Sequence, residues 1–109
     1  MSDGEFVFVY STFPDRKSAE TVARCVVEAK LAACVNILPP MTSIFEWEGK
    51  LDASTEHAVL IKTRRALADR AISAARPLHP YVIPCFLILP IASGTGDYLA
   101  WARAQTQPA

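Results

Sequence analysis

One long β-hairpin, predicted over residues 31–63, constrains the fold of this chain more than any other stretch. Its first arm alternates, with Phe45 and Trp47 on one side and glutamates on the other, which is the pattern of a strand with one apolar face. A turn at Glu48-Gly49-Lys50 closes the hairpin, because glycine supplies the positive φ that a tight hairpin turn requires. The return arm ends in an apolar run at 58–61, which is typical of a strand covered on both faces. The base of the hairpin therefore belongs in a core.

The tip of this hairpin needs a cover. An isolated two-stranded ribbon is marginally stable in water, and this one carries two large aromatic side chains. The simplest partner is another copy of the same chain. We therefore expect the protein to self-associate through the hairpin.

The other elements follow from hydrophobic periodicity and breaker residues. An apolar run predicts a first strand, and i, i+3, i+4, i+7 spacing predicts two helices. The predicted elements are a strand at Phe6–Tyr10, a helix from about Asp15 to Leu31, a helix capped by Thr63 and stopped by Pro77, a last strand at Cys85–Leu89 and a short helix from Asp97 to Ala104. Pro39-Pro40 interrupts the first hairpin arm, which predicts an edge position there because proline lacks a backbone donor.

This order of elements predicts an α+β domain of the ferredoxin-like class, β-α-β-β-α-β, with an added C-terminal helix. Right-handed crossovers give an antiparallel sheet in the order 4-1-3-2, with both main helices on one face. The other face is left bare, which again favours association. We expect a single domain over residues 1–109, with an ordered core from about 5 to 104 and a polar tail that frays from Gln105.

Composition excludes several classes of function. The 11 basic and 11 acidic side chains cancel, so nothing drives general binding to nucleic acid or an anionic membrane. No segment is apolar over the ~18 residues of a membrane span. The N-terminus is acidic where a secretory signal is basic, and the 3 cysteines form no disulfide framework. We expect a cytoplasmic protein with reduced cysteines.

Several short motifs occur in a fixed order along nearly the whole chain. They are Leu31-Ala32-Ala33-Cys34, Trp47-Glu48-Gly49-Lys50, Glu56 with Ile61-Lys62-Thr63, His79-Pro80-Tyr81 before Pro84, and Pro90-Ile91 followed by Tyr98-Leu99 and Trp101. In this pattern the chain resembles the divalent-cation tolerance (CutA) family. The resemblance implies a homotrimer of ferredoxin-like subunits, similar in architecture to PII signalling proteins. It also implies a role linked to copper and other divalent metals rather than catalysis.

The resemblance also indicates where copper would bind. In bacterial members the ligands are a Cys at the end of the first strand and a His-His pair before Pro-Tyr. This chain has Ser11 and Leu78-His79 at those positions, so only His79 remains. One imidazole is a weak site, since specific metal sites combine three or four ligands. We therefore expect copper, or another divalent cation, to bind weakly at most.

The candidate residues each have two interpretations. His79 is either a metal or ligand contact or a hydrogen-bonded loop histidine, and Tyr81 on the same stiff loop either packs or lines a cleft. Trp47 either stacks on a ligand or anchors an interface. Glu56 and Lys62 form either part of an intersubunit pocket or a structural ion pair.

The cysteines are weaker metal candidates. Cys34, at a helix-to-strand junction, is more typical of a small buried hydrophobe than of a soft ligand. Cys85 lies where the family more often has Glu, and its thiol either binds Cu(I) or has no role.

Three functions remain open at this level. The first is a non-enzymatic trimer for metal tolerance, with metal or a small ligand at intersubunit clefts. The second is a PII-like signalling or scaffold module that binds a metabolite. The third, which the sequence favours least, is an acylphosphatase-like hydrolase with Ser11-Thr12 and Arg16-Lys17 around a phosphate, since no nucleophile-base pair is evident.

Overall fold

The structure, a computed structural model, describes residues 5–106. Residues 1–4, which carry the acidic N-terminus discussed above, and the last three residues of the tail lie outside that range. The elements in chain order are β1 (Phe6–Phe13), α1 (Arg16–Glu28), β2 (Cys34–Ile37), β3 (Met41–Trp47), β4 (Lys50–Arg64), α2 (Arg65–Ala75), a 3-10 turn (Arg76–Leu78), β5 (Leu87–Pro90) and α3 (Gly96–Gln105). Within residues 5–106 no helix is long and apolar enough to span a membrane.

The main core lies between the sheet and a layer formed by α1 and α2. Alternate residues of β1 and β4 face this layer, because successive side chains of a strand point to opposite faces. The buried members of the cluster are Val7, Val9, Phe13, Ala19, Val22, Val26, Ala32, Val59, Ile61, Ala68, Ala71 and Ala75. The small residues of α2 allow close packing on the sheet, so both main helices cover one face as predicted.

The α+β class and the antiparallel sheet are confirmed. The pairing order is β2-β4-β1-β5, and β3 pairs with β4 beyond the end of β2. With the first hairpin arm counted as one strand this is the predicted order. The sheet differs from the prediction in one detail, because Pro39-Pro40 divides that arm into two strands. The last strand also starts later than predicted, at Leu87, which leaves Cys85 in the preceding loop.

The hairpin prediction is confirmed for residues 34–62, apart from the break at 38–40. β3 pairs with β4 from Met41↔Glu56 to Trp47↔Lys50, and the two-residue turn between them has positive φ at Glu48 (51°) and Gly49 (79°). Positive φ at both turn residues is the pattern whose twist matches that of the strands. The chain is 45 Å long and only 25 × 22 Å across, so the ribbon projects from the body.

We predict that Gly49→Ala lowers the free energy of unfolding by about 1 kcal/mol, because an L-residue is strained at this φ of 79°. Gly96→Ala is the matched control. A Cβ meets no atom within 4 Å at either position, and only Gly49 has a positive φ. The control should leave the free energy of unfolding unchanged or raise it by about 0.5 kcal/mol. Urea unfolding of both variants tests this, and equal effects would contradict the strain argument.

The C-terminal end of α1 and the N-terminal end of α2 differ from the sequence prediction. α1 ends at Glu28 rather than near Leu31, because Lys30 takes a positive φ of 62°. The backbone N–H of Lys30 donates to the Val27 carbonyl and that of Leu31 to the Val26 carbonyl, which is the Schellman ending of a helix. Thr63 does not cap α2; its hydroxyl donates to the Leu31 carbonyl at 2.7 Å.

α3 covers part of the face opposite the main helices. Phe6, Ala33, Leu99 and Ala102 form a second buried cluster there. We predicted that the tail frays from Gln105, and this is wrong for Thr106. Thr106 is fully buried, its hydroxyl donates to the Ala102 carbonyl at 2.8 Å, and the Arg64 side chain donates to it.

Candidate functional site

A cleft of about 620 Å³ lies where the ribbon leaves the body of the protein. The register pairs Ser43 with Ser54 and Phe45 with Asp52, so the alternation of the strands puts these side chains on one face with Trp47 and Glu56. The loop before β5 forms the opposite wall. The lining residues are Thr12, Ser43, Ile44, Phe45, Trp47, Asp52, Ser54, Glu56, Tyr81, Val82, Ile83 and Cys85.

Glu56 is the most enclosed polar group of this cleft. Its side chain is only 9% exposed, and the Tyr81 hydroxyl donates a hydrogen bond of 2.8 Å to its Oε2 atom. Burial, together with this bond to the nearby carboxylate, raises the pKa of Tyr81 to about 12. The phenol therefore stays protonated near neutral pH and acts as a donor that holds the carboxylate in place.

The second carboxylate oxygen of Glu56, Oε1, belongs to a side chain that lines the cleft. Within the described part of the chain it has no hydrogen-bond partner. Yet in the same range no buried side-chain polar atom is left without a partner. Because Oε1 has no partner there, it is accessible to solvent, and Glu56 is one of the residues that line the cleft. A nearly buried carboxylate with one free oxygen is an acceptor available to a ligand.

Cys85 lies in the same cleft. Its side chain is half-buried, and burial, with a smaller effect of the Glu56 charge, raises the pKa of its thiol. The thiolate, not the thiol, is the metal ligand. Near neutral pH Cys85 is therefore a poor soft ligand in this site.

His79 lies beneath the loop wall, packed inside the protein. Its Nε2 donates to the Thr12 carbonyl at 2.9 Å and lies 3.3 Å from the Ser11 hydroxyl, while Nδ1 accepts the backbone N–H of Tyr81 at 3.2 Å. The ring stacks on Phe13 with centroids 4.2 Å apart and meets the Phe86 ring edge-on. Burial lowers the pKa of His79, against smaller opposing effects of the Thr12 carbonyl and Glu56. His79 is thus a neutral, structural imidazole.

The residues present do not fit a copper site at His79. Both ring nitrogens are already hydrogen-bonded, and a metal ion needs a free ring nitrogen. Residues 5–106 contain no group of three His, Cys, Asp or Glu side chains arranged to hold a metal ion. Ser11 is fully buried against the histidine, so it does not serve as an exposed nucleophile either.

The structure brings some of the predicted site residues together and separates others. Trp47, Glu56 and Tyr81 share the cleft, and His79 supports it from below. Lys62 lies roughly 20 Å further along β4 from Glu56, at the rise of about 3.3 Å per residue. There its ammonium group lies 5.4 Å from the centre of the Tyr98 ring, so Lys62 and Glu56 form no ion pair within one chain. Their place in a pocket between two chains stays a prediction.

Cys34 is also remote from the cleft. It pairs across the sheet with Lys62, which in turn faces Phe8, and the Asn36 side-chain amide donates to its sulfur at 3.9 Å. The lining residues that the sequence analysis did not choose for this site include Ser43, Ser54, Asp52 and Val82. The sequence could have indicated Ser43, Ser54 and Asp52, because a hairpin register aligned on Phe45 and Trp47 places these three on the same face as Glu56.

The cleft has an acidic and apolar character. Asp52 and Glu56 are the charged residues among its lining, and no Lys, Arg or His lines it within the described range. Aromatic and aliphatic side chains form most of the rest. The fold and the cleft together define a class of small α+β proteins in which a projecting ribbon and a loop enclose an acidic, largely apolar cleft.

Comparison with known proteins identifies the family. Residues 7–105 match the family described as CutA1 divalent ion tolerance protein. The human Protein CutA is 39% identical over 104 residues, which is 95% of this chain and 58% of that protein. The Divalent-cation tolerance protein CutA of Thermus thermophilus is 41% identical over 98 residues, 90% of this chain and 95% of that protein. This chain belongs to the CutA1 divalent ion tolerance family.

Solved structures agree with this assignment. The crystal structure of CutA from Xylella fastidiosa has a TM-score of 0.92 and 35% identity, over 94% of this chain and 99% of that one. The crystal structure of CutA1 from Oryza sativa also has a TM-score of 0.92, with 34% identity over 98% of both chains. The chain spans somewhat more than half the length of several curated relatives, such as 58% of the human protein and 56% of the Arabidopsis thaliana one.

Proposed function

We propose that this protein is a non-enzymatic homotrimer that serves divalent-cation tolerance. In this proposal each cleft at the foot of the ribbon holds a small ligand or a weakly bound divalent ion, and a neighbouring subunit closes it. Family membership supports the general role. The observation that carries the assignment of the site is Glu56, a nearly buried carboxylate that lines the cleft and has one free oxygen.

Exposed apolar side chains around the cleft support its closure by another copy. Trp47 is 54% exposed, Val82 91% and Ile44 71%, although all three line the cleft. Large apolar groups gathered at one site are costly in water and are typical of protein interfaces. The number of subunits, three, and the PII-like arrangement come from the resemblance of the sequence to the family.

The cleft suits a small organic molecule better than a bare metal ion. Its volume of about 620 Å³ falls in the range of small-molecule sites, which are mostly apolar with a few polar groups. This observation favours the second candidate function, a PII-like module that reports a metabolite. The acidic lining opposes nucleotides and organic anions as that metabolite, because like charges repel in a partly buried site.

We also propose that the protein acts in the cytoplasm, because its three cysteines are free and form no disulfide framework. Its relatives carry other location names, chloroplastic for the Arabidopsis thaliana protein and periplasmic for the Archaeoglobus fulgidus structure. Fractionation of the source cells with an antibody to this chain tests the proposal. Recovery in a periplasmic or organelle fraction would contradict it.

Light scattering and equilibrium dialysis test the main proposal. We expect a mass three times the 11.9 kDa of one chain and weak binding of Cu(II) or Zn(II). Glu56→Gln should abolish that binding because it removes the cleft's buried negative charge, whereas His79→Ala should not change it. A monomeric protein, or metal binding that depends on His79 and not on Glu56, would overturn the assignment.

A further inference from the structure

We propose that the cleft selects a small primary ammonium ion with an apolar body. This inference rests on the proposed function, since it takes the cleft as the ligand site, and it names the chemical class of the ligand. Three separate features carry it: the sign of the charge, the kind of hydrogen-bonding groups, and the nature of the walls.

The first feature is the charge of the lining. Asp52 and Glu56 bring two carboxylates into the cleft, and within residues 5–106 no cationic side chain lines it. Glu56 is nine-tenths buried, and its one hydrogen-bond partner among residues 5–106 is the neutral hydroxyl of Tyr81. A buried charge is stabilised by a nearby charge of opposite sign. A cationic ligand supplies that charge, and an anionic one adds repulsion.

The second feature is the balance of donors and acceptors. Oxygen atoms that accept hydrogen bonds dominate the polar lining, namely the free oxygen of Glu56, the carboxylate of Asp52 and the hydroxyls of Thr12, Ser43 and Ser54. A primary ammonium has three donors and no acceptor, so it matches this set. A quaternary ammonium has no N–H and would leave the acceptors unpaired.

The third feature is the wall. Phe45, Trp47 and Tyr81 present aromatic rings, and Ile44, Val82 and Ile83 present aliphatic surface. Aromatic faces attract cations, and apolar walls gain free energy by covering an alkyl chain. A bare divalent ion uses neither the aromatic nor the aliphatic wall, and it needs three or four ligand atoms. The lining offers the carboxylates of Asp52 and Glu56 and the Cys85 thiol, whose pKa is raised by burial, and among residues 5–106 no three such groups are arranged to hold a metal ion. An alkylammonium uses all parts of the cleft.

Isothermal titration calorimetry of the full chain at pH 7 with n-butylammonium chloride tests the proposal. We expect saturable binding, at least tenfold tighter than for the matched anion n-butyrate, the neutral 1-butanol and tetramethylammonium. Glu56→Gln keeps the shape of the side chain and should weaken n-butylammonium binding at least tenfold. Asp52→Asn, on the exposed ribbon, should weaken it several-fold. Glu48→Gln changes an acidic residue of the turn that does not line the cleft, and it should have no effect.

The outcomes separate this inference from the function on which it rests. If n-butyrate or tetramethylammonium binds as tightly as n-butylammonium, or if neither Glu56→Gln nor Asp52→Asn weakens binding, the inference is wrong. If n-butylammonium fails to bind while the protein is trimeric and binds a divalent ion through Glu56, the inference fails and the proposed function stands. If neither probe binds, both fail. Circular dichroism of each variant verifies that the fold is retained.

Discussion

Replacement of His79 by alanine is expected to lower the free energy of unfolding by about 3 kcal/mol, near the lower end for loss of a buried aromatic ring. The variant loses the stack on Phe13 and leaves the Thr12 carbonyl and the Tyr81 N–H without their partner. The affinity for Cu(II) should stay unchanged, because both ring nitrogens are already engaged. Urea unfolding and equilibrium dialysis measure the two effects. His57→Ala is the control, since His57 makes a single exposed hydrogen bond to the Leu38 carbonyl.

The same histidine predicts a pH dependence of stability. Burial lowers the pKa of His79 in the folded state, so below about pH 6.5 the unfolded chain binds a proton that the folded chain resists. The stability due to His79 is present above that pH and is lost as the pH falls through its lowered pKa. Wild type should therefore lose more stability than His79→Ala between pH 7 and 5. Equal losses in the two proteins would contradict a neutral, buried His79.

Replacement of Trp47 by alanine is expected to dissociate the assembly at low micromolar concentration while the subunit stays folded. Trp47 lies at the tip of the ribbon and is 54% exposed, so its loss removes nothing from the main core. Buried tryptophans of interfaces commonly contribute about 2 kcal/mol or more each, and a trimer repeats the loss at each interface. Light scattering gives the mass, and circular dichroism reports the fold.

Val27→Ala is the matched control for this experiment. Val27 is an exposed apolar residue, 38% accessible, on the helix layer rather than on the ribbon. Its replacement should leave the mass unchanged at the same concentration. A full-size assembly in Trp47→Ala would show that the ribbon tip is not an interface.

The hairpin was the best predicted part of the fold because its signals are local. The alternation around Phe45 and Trp47 and the glycine at position 49 predict the strand type and the place of the turn, and the structure has both. Helix ends were predicted less well. Sequence signals for a helix end favour glycine, yet Lys30 adopts the left-handed conformation here. Leu31 and Ala32 pack in the core, and this packing outweighs the small free-energy cost of the left-handed conformation at Lys30.

The sequence predicted individual residues of the candidate site better than it predicted which of them lie together. Glu56, Tyr81 and Trp47 were chosen separately, and the structure joins them in one cleft. Lys62 shares a strand face with Glu56 by parity, but the length of β4 separates the two. His79 was left open between ligand and structural roles, and only its three-dimensional neighbours show that both ring nitrogens are engaged.

The sequence by itself determined the class of fold, the pairing of the hairpin and the family, because these depend on periodicity, turn residues and the order of motifs along the chain. Tertiary structure alone decided the chemistry of the cleft. The bond between Tyr81 and Glu56 joins residues 25 positions apart, and His79 meets Thr12 across 67. Such contacts depend on how the loop before β5 crosses the end of β1, and no local pattern encodes that path. Burial and hydrogen bonding then set which groups stay neutral and which oxygen remains free to bind.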